Sequence, residues 1–531
     1  MNRYVHAITC GMNSDPSAVA LVHGERRLTH GEALQEVYRA ARALAAQGLG
    51  YGDTVFFLVG NTPEAVLYPI SAQLIGCCVV FLRPGVGGTV HAAAVRTLAP
   101  AALVVDPCLE RVASGVLEQV EVPQVFTLGP AGLGRDLSLL AAGQSAAPVE
   151  PVAGEHDRGL ILCTSGTTGM PKAACHTFAN LAEFLRMERF LRHPGPRRFL
   201  HYGLMDSVSG QNTMWNLAAG GTTVLLDGAD SQEVLAAVER ERVTHLLAYP
   251  DTLARLTAAC SGGGAVFREL RQIEYGSAPA ATRLLREALE VFGPRLLGVY
   301  GSYEGGYLTS LGCDEHQEEL LGSVGTPLPG VRVEVRERGG RRVEAGGAGE
   351  VWVRTPAAMT GYAQNPEATA QVLREGWLRT GDRGRLDEAG RLHLMGRLDD
   401  VIFVGGRNVH AHEVEDALAE HPDVTWAAVV GVSDPVRGEA VHAAVVTVPD
   451  SQVDAEGLRM HVQAQLGTYH TPESVQLVPR ALLTPRGKTD REALRALVTP
   501  SVLPVRKPAE GVPTEGACGG EAPGAVGAAG A

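Results

Sequence analysis

Nine consecutive residues, Thr164-Ser165-Gly166-Thr167-Thr168-Gly169-Met170-Pro171-Lys172, form a hydroxyl- and glycine-rich run that ends on a lysine. They follow the apolar stretch Leu160-Ile161-Leu162. Such a run suits a phosphate group. Glycines let the backbone approach closely and adopt positive φ, and hydroxyls and backbone N–H groups donate to phosphate oxygens. Lysine usage sharpens the point. Of the 46 lysines and arginines only Lys172, Lys488 and Lys507 are lysine. Two of those three sit in glycine-containing motifs: Lys172 here, and Lys488 in Leu483-Thr484-Pro485-Arg486-Gly487-Lys488-Thr489-Asp490-Arg491. The first run is not a Walker-type loop, because Lys172 is followed by Ala173 rather than by serine or threonine.

Four more segments carry reactive or gripping groups. Gly276-Ser277-Ala278-Pro279 reads as a tight turn. Val299-Tyr300-Gly301-Ser302-Tyr303-Glu304 joins two phenols to a carboxylate, a hard ligand suited to Mg²⁺. Trp377-Leu378-Arg379-Thr380-Gly381-Asp382 ends on a carboxylate, whose several acceptor sites can grip a sugar diol. Gly396-Arg397-Leu398-Asp399-Asp400-Val401-Ile402-Phe403-Val404-Gly405-Gly406 continues through Asn408 to Glu413-Val414-Glu415. Each alone has a plain structural reading: a turn, aromatic packing, a solvated acidic turn, a surface lysine. In this order, between Asp15 and Leu497, they resemble the adenylate-forming superfamily. That group comprises acyl- and aryl-CoA synthetases, peptide-synthetase adenylation domains and luciferases. The surroundings of Gly405-Gly406 are closest in style to benzoate–CoA ligases.

The resemblance implies roles residue by residue. Thr164, Ser165, Gly166, Thr167, Thr168 and Gly169 would cradle ATP phosphates with Lys172. Gly276, Ser277 and Ala278 would lie against adenine, with Gly276 also bordering the acyl pocket. Tyr300 and Gly301 would contact the nucleotide, Tyr300 by stacking on adenine, and Glu304 would coordinate Mg²⁺. Tyr303 departs from the family's threonine at a position facing the α-phosphate and the acyl group. Asp382 would hold the ribose, Arg397 the ribose or phosphate, and Asp399 would be the hinge about which a small C-terminal domain swings. Lys488 would reach the reacting carboxylate and α-phosphate. Spacing after the phosphate run puts Asp206, in Gly203-Leu204-Met205-Asp206-Ser207, beside the acyl group, where relatives often carry an aromatic or histidine. A carboxylate there disfavours an anionic substrate unless it is protonated, paired or facing a cation.

Three readings follow from the resemblance. The leading one is ATP-dependent formation of an acyl or aryl AMP anhydride with pyrophosphate release and transfer to a thiol, with CoA as second substrate or a separate carrier protein as acceptor. The second is transfer of the adenylate to an amine. Some relatives in secondary metabolism activate nitrite and couple it to an aromatic amine. The third is a non-catalytic nucleotide-binding relative, which retention of Lys172, Glu304, Asp382, Arg397 and Lys488 argues against.

The chain that must position these groups has 531 residues, a net charge of −13 and 45% hydrophobic residues. It is long enough for more than one domain, and its charge disfavours a broad nucleic-acid footprint. Nine scattered cysteines without a CxxC pair fit reduced thiols, and the two beside the phosphate run, Cys163 and Cys175, read as packing residues. With no signal or membrane-spanning segment, a soluble cytoplasmic enzyme is expected. The expected class is α/β: a large N-terminal domain (1–396) of layered α/β subdomains plus a β-rich part, a small mobile α+β domain (397–499), and a disordered tail (500–531) rich in Pro, Gly and Ala. Leu34 to Gln47 reads as an amphipathic helix. Residues 54–59 and 102–105 read as buried strands, 128–151 as loop, and 331–335, 349–353, 426–430 and 441–446 as strands.

Overall fold

Apolar runs of four or five residues, bounded by turn residues, recur through the first half of the chain, and each becomes a strand with both faces covered. The computed structural model describes residues 2–86, 88–163, 172–191, 193, 195–228, 230–260, 267–337, 339–404, 407–434, 436–484 and 488–499, so the phosphate run 164–171 and the tail expected beyond 499 lie outside the described residues. Strands Thr54–Leu58, Cys78–Leu82 and Ala102–Val105 are almost wholly buried and pair in parallel, with Val55 opposite Val79 and Ala102. Continuous burial is what a parallel strand covered by helices on both sides requires. Helix His30–Ala46 starts four residues before the apolar stripe predicts. There Thr29 and Glu32 form a capping box that satisfies the first N–H groups.

Among the described residues these elements build two large sheets. One runs in space Gly361–Tyr362, Ala173–Thr177, Arg158–Cys163, Cys78–Leu82, Thr54–Leu58, Ala102–Val105, Gln124–Thr127, Arg135–Asp136. The other runs Thr326–Pro327, Gly306–Leu311, Leu296–Ser302, Gln272–Gly276, His245–Ala248, Arg198–His201, Thr222–Leu225, Val19–His23, Arg26–Thr29. The main core lies between them and takes in Ile8, Val37, Phe57, Tyr68, Phe178 and Leu217. A third, antiparallel sheet holds Arg332–Arg336, Ala348–Arg354, Trp377–Leu386 and Leu373–Arg374, with Leu392–Arg397 paired to Trp377–Leu386, as the short strands and tight turns past residue 322 predict.

The small C-terminal unit has its own sheet, Arg407–His410, Val401–Val404, Gly438–Thr447, Val424–Asp434, with Ser474–Leu477 against Gly438–Thr447. Helices Ala411–Ala419, Ala455–Leu466 and Arg491–Val498 cover it. Its core, which includes Val409, Val414, Leu418, Val441 and Leu458, is separate from the others.

The segment 128–151 is not all loop. It holds strand Arg135–Asp136 and helix Leu137–Ala142, capped by Asp136 and packed through Leu137 and Ala141 against helix His30–Ala46. Six helical residues show no 3.6-residue period against a background of Gly and Ala, so the sequence hides them. No helix among the described residues is long and apolar enough to cross a membrane.

Candidate functional site

In open parallel sheets the crevice beyond the carboxyl ends of the strands is where ligands bind. Both large sheets point those ends at one crevice. Cys78–Leu82 delivers Arg83, Arg158–Cys163 leads into the phosphate run, Arg198–His201 leads to Asp206, Gln272–Gly276 ends at the Ser277 turn, and Leu296–Ser302 leads to Tyr303 and Glu304.

Asp382 sits opposite Arg397 across two paired strands, and Arg397 Nη1 donates to its Oδ1 at 3.0 Å. The Tyr300 hydroxyl donates to Oδ2 at 2.6 Å. Burial first, then the Asp382 charge, holds Tyr300 far above the ordinary phenol range, so it stays a neutral donor. Gly381, at φ +72°, leaves room for the guanidinium: a Cβ there would lie 3.1 Å from Arg397 Nη2.

Glu304 is fixed from three sides. The Tyr362 hydroxyl donates to its Oε1 at 2.8 Å, and its carbonyl accepts from Met359 N–H at 2.7 Å. The preceding carbonyl, of Tyr303, is 2.7 Å from Nε2 of the buried His176. Burial brings that imidazole down to about 4, so it donates as a neutral ring. Lys172 Nζ lies 5.4 Å from the centre of the Tyr362 ring, which links the end of the phosphate run to Glu304 through one phenol. Among the described residues no group of three His, Cys, Asp or Glu could hold a metal ion. A lone carboxylate suits Mg²⁺, which takes one or two protein carboxylates and completes its shell with water and other oxygen ligands.

Lys488 comes from the far end of the chain. Thr484 N–H donates to the Lys488 carbonyl at 2.7 Å, and a bridge joins Leu483 and Thr489. Desolvation by the crevice lowers its pKa. Asp382 and Glu304 pull it back up, and Arg397 and Arg83 oppose them. The residue keeps an exposed side. The protein crowding its other sides accounts for the downward shift. Lys488, Glu304, Asp382 and Arg397, which lie on three sequence-distant segments, therefore share one electrostatic neighbourhood.

Asp206 is buried and paired. Arg83 Nε donates to its Oδ2 at 2.5 Å, and Arg83 Nη2 donates to the Cys163 carbonyl at 2.5 Å. The two side chains are 12% and 4% exposed, which makes this a desolvated ion pair. Desolvation raises the Asp206 pKa and Arg83 lowers it, and the net direction is upward. Tyr303 and Tyr249 face the same carboxylate. The requirement that a carboxylate here be paired is thus met from within the chain. Cys163 is half-buried and Cys175 buried, and burial pushes the Cys163 thiol up to about 11, in keeping with packing roles.

Gly276 is buried, and Ser277 beside it takes φ +67°, a conformation L-residues adopt rarely. Ala278 follows in the same turn. A Cβ on Gly276 would fall on the Val299 carbonyl oxygen of the neighbouring strand. Gly276→Ala is expected to cost about 1–3 kcal/mol by overpacking, read by urea unfolding. An unchanged value would show that the strand pair can open here. Gly301 lies on the edge facing Gly306, where a Cβ would again meet backbone. Asp399 lies in the single turn Leu398–Asp400 that follows strand Leu392–Arg397, and Arg491 Nε reaches Asp400 at 3.2 Å.

Arg83, Tyr362 and His176 are the contributions the sequence reading missed. Arg83 had a signal: it directly follows a continuous apolar run, where a parallel strand opens onto the crevice. Tyr362 and His176 had none, because their partners are 58 and 127 residues away.

A model of the family described as AMP-binding enzyme matches residues 11–363, and one described as AMP-binding enzyme C-terminal domain matches residues 413–488. The chain is 31% identical to a medium/long-chain fatty-acid–CoA ligase of Mycobacterium tuberculosis, over 92% of this chain and 89% of the relative. It is 32% identical to a feruloyl-CoA synthase of Amycolatopsis, over 89% and 94%. Among solved structures, the amide bond synthetase McbA of Marinactinospora thermotolerans superposes with a TM-score of 0.86 at 38% identity, covering 93% of this chain and 99% of that one.

Proposed function

The chain belongs to the AMP-binding enzyme family, and from that premise we propose that it is an adenylate-forming ligase that activates an acyl or aryl acid with ATP and passes the acyl group to a thiol, CoA first among them. One carboxylate oxygen of the acid attacks the α-phosphorus. The bond from that phosphorus to the β-phosphate oxygen breaks, and pyrophosphate leaves with the electron pair. The thiol, its proton released to solvent, then attacks the carbonyl carbon of the acyl-AMP, and AMP leaves with the electron pair of the broken carbon–oxygen bond. The observation that carries this reading is the geometry of the two fixed carboxylates at the crevice: Asp382 held by Tyr300 at 2.6 Å and Arg397 at 3.0 Å, and Glu304 held by Tyr362 at 2.8 Å.

In this mechanism the protein's work is positioning and charge neutralisation. Asp382, oriented by Tyr300 and Arg397, accepts hydrogen bonds from the ribose hydroxyls. The turn from Gly276 to Ala278 lies against adenine. Lys172 and the phosphate run hold the polyphosphate, and Lys488 offsets repulsion between the acid and the α-phosphate. Glu304 would hold Mg²⁺, which when bound neutralises phosphate charge. Residues 397–499 act as the mobile unit, with Asp399 as the hinge.

A second reading has its own support. Asp206 is a buried carboxylate on the acyl side of the crevice, beside Tyr303, and the amide bond synthetase resembles the chain at 38% identity. Arg83 neutralises that carboxylate, so the likeness to the amide bond synthetase is what supports this reading. Pyrophosphate release with Mg-ATP, measured over a panel of aryl acids, short and long acyl acids and nitrite, with CoA or aromatic amines, separates the two. Product mass identifies the acceptor. A thioester establishes CoA ligation. An amide or diazo product formed without CoA overturns it in favour of the amine reading. Absence of pyrophosphate release across the panel counts against both.

A further inference from the structure

The seam between the third sheet and the C-terminal unit holds a contact that the chemistry above does not use. Arg383 follows Asp382 on strand Trp377–Leu386, and its Nη1 lies 2.7 Å from Nε2 of His410. His410 ends strand Arg407–His410 and is the residue before helix Ala411–Ala419. A guanidinium only donates, so His410 Nε2 must offer its lone pair, with the ring neutral and its proton on Nδ1. The two parts of the chain are joined here by a bond that exists in one protonation state only.

The surroundings leave little room for a proton. The charged groups facing His410 are Arg383 from the third sheet, Glu413 from its own helix and His470 from the loop after helix Ala455–Leu466. The His412 ring lies 5.8 Å away, itself facing Arg383, Glu413 and Arg491. Glu413 is the one group that would welcome a cation, and its Oε2 is already 3.2 Å from His470 Nε2. His412 in turn rests on the strand that leads to the Asp399 turn: a Cβ on Gly396, at φ +90°, would lie 2.8 Å from His412 Nδ1. A second seam contact carries no titratable acceptor. Arg283 Nη1 donates to the carbonyls of His421 and Pro422 at 3.1 and 3.0 Å.

We propose that Arg383 and His410 are a positioning pair: their hydrogen bond holds the C-terminal unit in the orientation that delivers Lys488, and proton uptake by His410 releases it. The proposal rests on the reading that this unit swings about Asp399. Its direction with pH follows from linkage. In the docked form burial, and then Arg383, hold His410 below the ordinary imidazole value. Released, the ring returns towards about 6.5. A base with the lower pKa in the docked form favours docking above about pH 6.5. Docking weakens as pH falls below that, by at most about tenfold per pH unit, since one proton is exchanged. The Arg283 contact makes release graded rather than complete.

The test needs no substrate. Spin labels at the exposed Leu139 and Met460 of the full chain, with Cys10, Cys108 and Cys518 changed to serine, report the distance between the two parts. In the otherwise unaltered protein one distance should dominate at about pH 8 and a second should grow below about pH 6. His410→Gln, whose amide oxygen accepts from Arg383 without titrating, should keep the first distance at both. Arg383→Met should show the second at about pH 8. A His410→Gln protein that shifts with pH as the parent does, or an Arg383→Met protein with an unshifted distance, overturns the latch. A distance fixed in every variant at every pH overturns the swing as well, so the two failures are told apart.

Discussion

Lys488→Ala should lower acid-dependent pyrophosphate release by about 10²–10³-fold, the usual effect of removing one preorganised charge from a developing anion. Because the residue keeps an exposed side, stability should stay within about 0.5 kcal/mol. Transfer from a supplied acyl-AMP should keep its rate, since the acid and α-phosphate are then already joined. The lysine must be an ammonium to act, and burial lowers its pKa. Adenylation should therefore fall as pH rises through that lowered value, while transfer from the supplied acyl-AMP should not follow the same curve. Equal losses in both half-reactions would show that Lys488 holds the fold of the crevice rather than the charge of the reaction.

Arg83→Met should be the most destabilising single change in the crevice. It removes one partner of a desolvated ion pair and leaves the Asp206 carboxylate without its guanidinium, a change that costs about 3–5 kcal/mol in comparable pairs. Urea unfolding would measure it. Arg83→Met combined with Asp206→Leu should recover most of the loss, because replacing both charges by apolar groups is close to neutral. The pH dependence has a definite sign. Asp206 already has a pKa raised by burial, and without Arg83 it rises further, so the protonated form favours the folded state. The deficit of Arg83→Met should therefore shrink as pH falls and grow as pH rises. A deficit independent of pH would mean the loss is one of packing. If the double change recovers stability but alters which acceptor is used, the pair sets specificity as well as structure.

These expectations depend unevenly on what the sequence shows. The α/β layering was legible because buried parallel strands write themselves as unbroken apolar runs, as at 54–58 and 102–105. The candidate site groups could be named because motif chemistry is local: Tyr300 and Glu304 lie four residues apart, and Lys488 is one of only three lysines. Asp206 showed the limit. Its place in the crevice could be read from spacing, but its partner could not, because Arg83 is 123 residues away and meets it only when two sheets converge. His410 had the same difficulty, since its meaning depends on Arg383 in another part of the chain. The short helix Leu137–Ala142 was hidden for a different reason. Its order comes from a docking surface rather than from any period of its own.

The nine-stranded sheet has a consequence for how the protein is made. Strand Val19–His23 has Thr222–Leu225 as its parallel neighbour, Leu21 lying opposite Thr223. Some two hundred residues must leave the ribosome between the two, about 10–40 s at ordinary elongation rates. During that time the strand has only its hairpin mate, Arg26–Thr29, and its other edge stands unpaired. Non-local pairing of this kind slows folding and exposes sticky edges. The early segment, far from the chemistry, should therefore limit the yield of active protein, and holding chaperones or slow synthesis should matter more to it than to the C-terminal unit, whose strands all pair within some eighty residues.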